Sequence, residues 1–182
     1  LAPDWRVIAL DQRGHGYSDH AMTYTREEYL NDVLALLTHL NVKERVVLLG
    51  NSLGGINAYY FAAKFPEMVR AIIIEDIGVE FTVDASFSLQ WAGIFNTRNE
   101  LEECVGLRML PCLQESFRQT SNGWQLAFDP KEILTSISLS IGNHWNAWLK
   151  SDCPALVIRG QESRLTTQEQ CEQMAVLRPN TQ

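Results

Sequence analysis

Three residues in segment 46–55 have the types and the spacing of a serine nucleophile. Gly50, Ser52 and Gly54 form the pattern G-x-S-x-G, with Asn51 between the first two. A serine on a sharp turn has strained backbone angles, and the flanking glycines leave room for the two chain segments to pass. The hydroxyl then projects from the turn, where it can attack a carbonyl carbon. The spacing therefore predicts a nucleophile elbow with Ser52 at its crest.

The elements on either side of this turn are those that such a serine requires. Val46–Leu49 is an apolar run that predicts a buried strand, and Ile56–Phe65 is predicted to be a helix that Pro66 ends. The helix would direct its free N–H groups and positive dipole end toward the hydroxyl, which suits a developing oxyanion. The alternative is a glycine-rich turn that only packs tightly or binds a phosphate, although neither G-K-[ST] nor G-x-G-x-x-G is present.

The order of elements around the turn predicts an α/β fold with a parallel sheet. Trp5–Leu10 is an apolar run that predicts a strand, and Thr25 with Glu28 forms a capping-box pattern that opens a helix. Val69–Ile74 is rich in β-branched residues, as in a parallel strand covered on both faces, and it brings Asp76 to its carboxyl end. Strands and helices that alternate in this way form right-handed parallel units.

The residue pattern changes from alternating strands and helices to an aromatic-rich segment after this region. Residues 80–150 hold most of the aromatic side chains and no buried-strand pattern, which predicts a helical insertion lying over the sheet. Its aromatic residues either line a substrate pocket or form the core of the insertion itself. Cys153–Gly160 then predicts a returning strand. The predicted domains are therefore residues 1–79 as the first part of the core, 80–150 as the cap insertion and 151–182 as the rest of the core.

Composition limits the partners and the compartment. The 182 residues carry a net charge of −7, which disfavours nucleic acid and anionic membranes as partners. No apolar run is long enough to span a bilayer, and no signal peptide is recognisable. The cysteines lack metal-type or redox-type spacing: Cys104, Cys112, Cys153 and Cys171. We expect a cytoplasmic monomer or homodimer with a small-molecule substrate, no metal ion and no cofactor; an extracellular disulfide is the alternative reading of the cysteines.

Three segments together resemble the α/β-hydrolase superfamily. Asp11–Ser18 resembles its D-x-R-G-x-G-x-S loop, Gly50–Gly55 its nucleophile elbow, and Cys153–Gly160 the strand that follows its cap domain. The resemblance covers the chain except for the cap, and it implies a parallel sheet flanked by helices. It is nearest to the small esterases, C–C hydrolases, haloalkane dehalogenases and cofactor-free haloperoxidases. Ser52 argues against the dehalogenases, which carry Asp at the elbow.

The resemblance implies a Ser-acid-His triad. Ser52 would be the nucleophile, and the backbone N–H of Leu53 would be one oxyanion donor. Many members place the acid after the post-cap strand as G-x-x-D, but Ser163 stands at that position here. We therefore expect Asp76, at the end of the strand that follows the elbow helix, to be the acid that orients the histidine. Glu162 is the alternative.

The histidine of the triad has no clear candidate in this sequence. In the family it lies after one further strand, and a second oxyanion donor precedes the first strand seen here; we expect both outside residues 1–182. No motif marks any of the histidines present as a general base: His15, His20, His39 and His144. The implied function is a serine hydrolase for an ester-like substrate, or for C–C or peracid chemistry, with this segment alone weak or inactive. The alternative is a non-catalytic ligand receptor or regulatory module on the same fold.

Overall fold

A computed structural model of the chain describes residues 4–182, which form two compact units. The first unit contains residues 4–24 and 85–136. The second unit contains residues 25–84 and 137–182. The domain boundaries expected from the sequence, after residues 79 and 150, stay a prediction.

Helices and strands alternate through the second unit, and short elements fill the first. The helices of the described residues are α1 (Arg26–His39), α2 (Leu53–Lys64), α3 (Arg98–Val105), α4 (Leu110–Leu113), α5 (Pro130–Ser138), α6 (Trp145–Lys150) and α7 (Gln168–Leu177). The strands are β1 (Val46–Asn51), β2 (Val69–Glu75), β3 (Glu80–Phe81), β4 (Phe117–Thr120), β5 (Gly123–Leu126), β6 (Gly142–Asn143) and β7 (Ala155–Ile158). Short 3-10 turns connect several of them.

The second unit is built on a parallel sheet in the order β1-β2-β7. Asn51 at the end of β1 pairs with Glu75 at the end of β2, and Glu75 pairs in turn with Ile158 at the end of β7. The carboxyl ends of the three strands therefore meet at one edge of the sheet, where α/β folds place their ligands. The α/β fold with a parallel sheet flanked by helices, predicted from the sequence, is confirmed.

Apolar packing fixes the helices of this unit on the sheet. The capping box predicted at Thr25 and Glu28 is formed at the start of α1. Side chains of β2 and α2 that are fully removed from water include Ile72, Ile74 and Ile56, each worth about 1.5–3 kcal/mol of transfer free energy. Trp148 of α6 is also fully buried and meets the ring of Tyr59 edge-on, with 6.0 Å between ring centroids.

The first unit contains strands that the sequence pattern did not predict. β4 and β5 form an antiparallel hairpin, and Asn122-Gly123, a residue pair typical of turns, lies at its tip. The insertion expected to be helical thus contains short strands as well as helices, because the strands show no apolar run and only the turn signals them. The hairpin belongs to a separate small core formed by Trp91, Leu101, Val105, Phe117 and Leu126.

The predicted strand at Trp5–Leu10 is also wrong for the described residues. These residues form no strand, and their side chains stay exposed, with Val7 at 61%. An extended segment becomes a strand only when its N–H and C=O groups pair with a neighbour. Within residues 4–182 no such pairing forms at this segment, although its apolar composition is that of a strand.

Candidate active site

Ser52 has the backbone conformation that a nucleophile elbow requires. It lies between the end of β1 and the start of α2 with φ 49° and ψ −117°, a strained combination for a residue with a side chain. A serine that merely capped the helix would adopt extended angles and accept a hydrogen bond from the first turn. Ser52 makes no such side-chain cap. The half-buried hydroxyl is thus presented by the turn and does not stabilise the helix end.

Close contacts between main chains explain the glycines around Ser52. A Cβ atom on Gly50 would overlap the backbone of Gly54, where β1 and α2 cross. A Cβ atom on Gly55 would lie 2.6 Å from Cγ2 of Ile77, below any ordinary contact distance. Gly55 was not predicted from the spacing, although the Gly-Gly pair that follows the serine was its signal. The glycines let the first turn of α2 pack directly on the strand ends.

Asp76 lies at the end of the neighbouring strand. It also has a positive φ, 50°, which turns the chain away from β2. Its backbone N–H donates to the carbonyl of Ile158 at 2.8 Å, and its Oδ1 accepts from the N–H of Gly160 at 3.3 Å. The carboxylate is half-buried and held at the edge of the sheet where β1, β2 and β7 end. It is therefore fixed by its main chain and by one side-chain hydrogen bond.

The other candidate acids lie in less favourable places. Glu162 is exposed in the loop that follows β7. Glu75 is the last residue of β2 and is also exposed, and its carbonyl accepts the N–H of Ser52 at 3.0 Å.

Leu53 is the first residue of α2, so its N–H has no acceptor one turn earlier in the helix. The elbow thus supplies a hydroxyl and a helix N-terminus, and the end of the neighbouring strand supplies one ordered carboxylate.

A glutamine that the sequence analysis missed holds the segment after Asp76. Gln170 of α7 accepts the backbone N–H of Val79 at 3.1 Å, and Thr166 bonds to the same oxygen at 3.1 Å. Gly78 leaves the space for this contact, because a Cβ atom there would overlap Oε1 of Gln170. Neither Gln170 nor Thr166 belongs to a recognisable motif. The glycine two residues after Asp76 was the only sequence signal.

His144 is a buried structural residue. Its Nε2 donates to the carbonyl of Ser140 at 2.9 Å, and the hydroxyl of Tyr60 donates to its Nδ1 at 2.9 Å. Arg26 lies over the ring of Tyr60 and donates to Ser140 at 2.7 Å. Burial lowers the pKa of His144, and the nearby Arg26 charge lowers it further. The hydrogen bond that His144 donates to the Ser140 carbonyl acts in the opposite direction, and the net pKa shift is downward. Both ring nitrogens of His144 are therefore occupied.

Each of the remaining histidines is hydrogen-bonded to another group or exposed to solvent. His15 donates from Nδ1 to the carbonyl of Arg13 at 3.0 Å, and its ring packs on Phe128. His20 pairs with Glu132 at 2.7 Å, which raises the pKa of His20. His39 is exposed in the last turn of α1, as its helix position predicts. Among the described residues, no histidine is hydrogen-bonded to Ser52 or Asp76.

The described part of the chain contains neither a candidate metal site nor a candidate membrane-spanning helix. Within residues 4–182, no three histidine, cysteine or acidic side chains are grouped so that they could hold a metal ion. No helix in the same range combines the length and the apolar character that crossing a membrane would need.

Comparison with known sequences identifies the family. The family described as alpha/beta hydrolase fold matches residues 1–98. The 2-(acetamidomethylene)succinate hydrolase of Mesorhizobium japonicum is 27% identical over 99% of this chain and 69% of its own length. The 3-hydroxybutyrate-oligomer hydrolase of Cupriavidus necator is 26% identical over 96% of this chain and 69% of its own length. These two relatives are hydrolases by name.

A solved structure agrees with this assignment at the level of the fold. The crystal structure of E-2-(acetamidomethylene)succinate hydrolase superposes with a TM-score of 0.78 and 22% identity, covering 93% of this chain and 68% of the other. Three observations lead to the same assignment: the order of the sheet, the strained serine between β1 and α2, and the family match. The chain belongs to the alpha/beta hydrolase fold family.

Proposed function

We propose that this chain carries the nucleophile and the acid of a serine hydrolase acting on a small ester-like substrate. The observation that carries the proposal is the conformation of Ser52, whose φ of 49° is strained and whose hydroxyl makes no helix-capping bond. Backbone strain of this kind costs about 1–3 kcal/mol and is retained where it serves function. Two relatives named as hydrolases support the same reading.

In this proposal each residue has a defined role. Ser52 Oγ forms a bond to the substrate carbonyl carbon while an imidazole takes its proton, and the Leu53 N–H stabilises the oxygen that becomes negative. The tetrahedral intermediate expels the leaving alkoxide, which receives that proton, and water then hydrolyses the acyl-enzyme. Asp76 orients the imidazole. The base is a histidine outside residues 1–182, because the histidines within them are engaged elsewhere or exposed.

The leaving group defines the subtype of the reaction. An ester-like bond is proposed first, and C–C cleavage or peracid formation would use the same nucleophile. One relative is named for a succinate derivative and the other for oligomers of 3-hydroxybutyrate, both of them small organic acids with acyl linkages. These names support a small acyl substrate and not a macromolecular one.

Covalent labelling tests the nucleophile. The full-length protein that carries this chain is treated with a fluorophosphonate probe, and the labelled peptide is identified by mass spectrometry. We expect stoichiometric labelling at Ser52 and its loss in Ser52→Ala. Ser121→Ala is the matched control, because Ser121 is exposed in the turn between β4 and β5 and should not affect labelling. Labelling that persists in Ser52→Ala contradicts the proposal.

A ligand receptor on the same fold is the second candidate. The observation in its favour is that, across residues 4–182, Ser52 and Asp76 bond to no imidazole. A receptor would bind a small molecule tightly without releasing a product. Ester turnover that disappears in Ser52→Ala excludes it, and binding without labelling or turnover supports it.

A further inference from the structure

The first unit contains an open cavity whose lining includes none of Ser52, Leu53 and Asp76. Its volume is about 370 Å³, within the range of small-molecule sites. Its walls come from residues 14–20, from 91–94 and from 125–131, together with Arg118. All of these residues belong to the first unit, and they include apolar surface from Ile94 and Phe128. The cavity is therefore large enough for a small organic molecule with an apolar part.

Two buried hydrogen-bond donors without an acceptor belong to residues that line this cavity. They are the indole Nε1 of Trp91 and the Nε of Arg118, and within the described residues no other buried side-chain nitrogen or oxygen lacks a partner. Trp91 as a whole is only 5% exposed. A buried donor left unpaired costs about 1–3 kcal/mol, so such groups are rare and usually meet water, an ion or a ligand. Their occurrence in one cavity indicates a missing acceptor.

The charges at the cavity favour an anionic acceptor. Arg118 donates from Nη1 to the carbonyls of Glu115 and Phe117, and within residues 4–182 its guanidinium forms no ion pair with a carboxylate. Lys131 also lines the cavity and forms no ion pair in the same range. Arg118 is half-buried and Lys131 is exposed, so an incoming anion meets two cations that no carboxylate of the described residues neutralises.

The other titratable groups of the wall are already satisfied. The carboxylate of Asp129 accepts the backbone N–H of Lys131 at 2.8 Å and so caps α5. His20 pairs with Glu132, which also accepts the hydroxyl of Tyr24 at 2.5 Å. These groups already have hydrogen-bond partners, whereas Arg118 and Lys131 have no carboxylate partner within residues 4–182, and the Arg118 guanidinium lies over the ring of Tyr17 at 5.4 Å. The charged groups that remain available to a ligand in this cavity are therefore positive.

We propose that this cavity binds the carboxylate of a small organic acid. The indole N–H of Trp91 and the guanidinium of Arg118 donate to its oxygens, Lys131 adds positive charge, and Ile94 and Phe128 contact its carbon chain. The acid is either a free metabolite or the carboxylate end of the hydrolase substrate, since both present the same group. The binding itself does not depend on Ser52, so it can be tested whether or not the protein is a hydrolase.

Titration of the indole N–H resonances with succinate provides the test. The 182 residues contain five tryptophans, and Trp91→Phe assigns the signal of Trp91 in a ¹⁵N-labelled sample. We expect succinate to move the Trp91 indole signal downfield in a saturable manner. Succinamide, which has the same carbon chain without the charge, should move it at least tenfold less at equal concentration. A Trp91 signal that does not move, or moves equally with succinamide, overturns the proposal and indicates that water satisfies the two donors.

Two arginine variants separate binding from general electrostatics. Arg118→Gln should weaken the succinate response at least tenfold, while the other indole signals remain in place and show that the protein is folded. Arg98→Gln is the matched control, because Arg98 lies in the same unit over the rings of Phe117 and Trp124 but does not line the cavity. An unchanged response in Arg118→Gln, or an equal loss in Arg98→Gln, contradicts the proposal.

Protection of Ser52 identifies the source of the acid. When succinate slows fluorophosphonate labelling of Ser52 in proportion to its binding at Trp91, the bound carboxylate belongs to the substrate. When succinate binds at Trp91 but leaves the rate of labelling unchanged, the cavity takes a separate organic acid. Both results support the cavity as a carboxylate site. Only the titration of the Trp91 indole signal can overturn the proposal. Ser52→Ala should retain the succinate response in either case.

Discussion

Ser52 and Asp76 occupy matching positions on two neighbouring parallel strands. Each is the first residue after a paired strand end, since Asn51 of β1 pairs with Glu75 of β2. Each also has a positive φ, 49° for Ser52 and 50° for Asp76. The N–H of Ser52 donates to the carbonyl of Glu75 at 3.0 Å, which joins the two turns through one hydrogen bond. The register of the sheet thus places hydroxyl and carboxylate at the same edge.

Replacement of Asp76 by Asn tests its role as the acid. Asn keeps the size of the side chain and loses the charge that fixes an imidazole in the correct tautomer, so kcat on a chromogenic ester should fall about 10⁴-fold. Glu75→Gln is the control, since Glu75 is adjacent but exposed, and it should change kcat less than twofold. The proposed role fails when both variants lose activity equally, or when Asp76→Asn remains fully active with an unchanged unfolding transition.

Replacement of Gly50 by Ala tests the close crossing of β1 and α2. The added Cβ atom would overlap the backbone of Gly54, so the free energy of unfolding should fall by about 3 kcal/mol or more. Gly160→Ala is the control, because a Cβ atom there would meet Asp76 Oδ1 at an ordinary 3.6 Å. Urea denaturation followed by tryptophan fluorescence measures both. Equal stability of the two variants would show that the crossing is not tightly packed.

Replacement of Gln170 by Ala tests the support of the segment after Asp76. The N–H of Val79 would lose its acceptor while the residue stays buried, which costs about 1–3 kcal/mol in the free energy of unfolding. Gln168→Ala is the matched control, because Gln168 is exposed on the same helix and bonds only to Glu172. Urea denaturation should therefore place the unfolding midpoint of Gln170→Ala below that of Gln168→Ala. No difference between the two variants contradicts this role.

The buried His144 should make the second unit sensitive to acid. Its pKa is lowered in the folded protein, mainly by burial, so it stays neutral where the unfolded chain becomes protonated. Because the unfolded chain then binds more protons, the free energy of unfolding decreases as pH falls below the ordinary histidine value of 6.5. Above that pH both states are neutral, and the contribution is complete.

Denaturation at pH 7.5 and pH 5.5 measures this dependence. His144→Gln removes the titration, so the loss of stability between the two pH values should be smaller than in the unmodified protein. His39→Gln is the control, since His39 is exposed and should leave the loss unchanged. A loss that is identical in the unmodified protein and in His144→Gln assigns the acid sensitivity to other groups.

Short-range patterns were sufficient for the elements around Ser52. The strand predicted at 46–49 and the helix predicted at 56–65 correspond to the observed strand 46–51 and helix 53–64, because each prediction rests on local rules, namely apolar runs, glycine positions and a terminating proline. The capping box at Thr25 and Glu28 is equally local. The strand at Trp5–Leu10 failed because strand formation needs a pairing partner, which composition does not reveal.

The sequence by itself determined the nucleophile motif, the parallel α/β order and the two helices that open after Thr25 and after Ser52, because these depend on neighbours along the chain. Only the tertiary structure decided that Asp76 ends its strand level with Ser52, that Gln170 supports the following segment, and that His144 is enclosed by Tyr60 and Ser140. It also brought Trp91 and Arg118, distant in sequence, to one cavity with unpaired donors. Such contacts arise from register and packing between remote segments, and no local pattern encodes them.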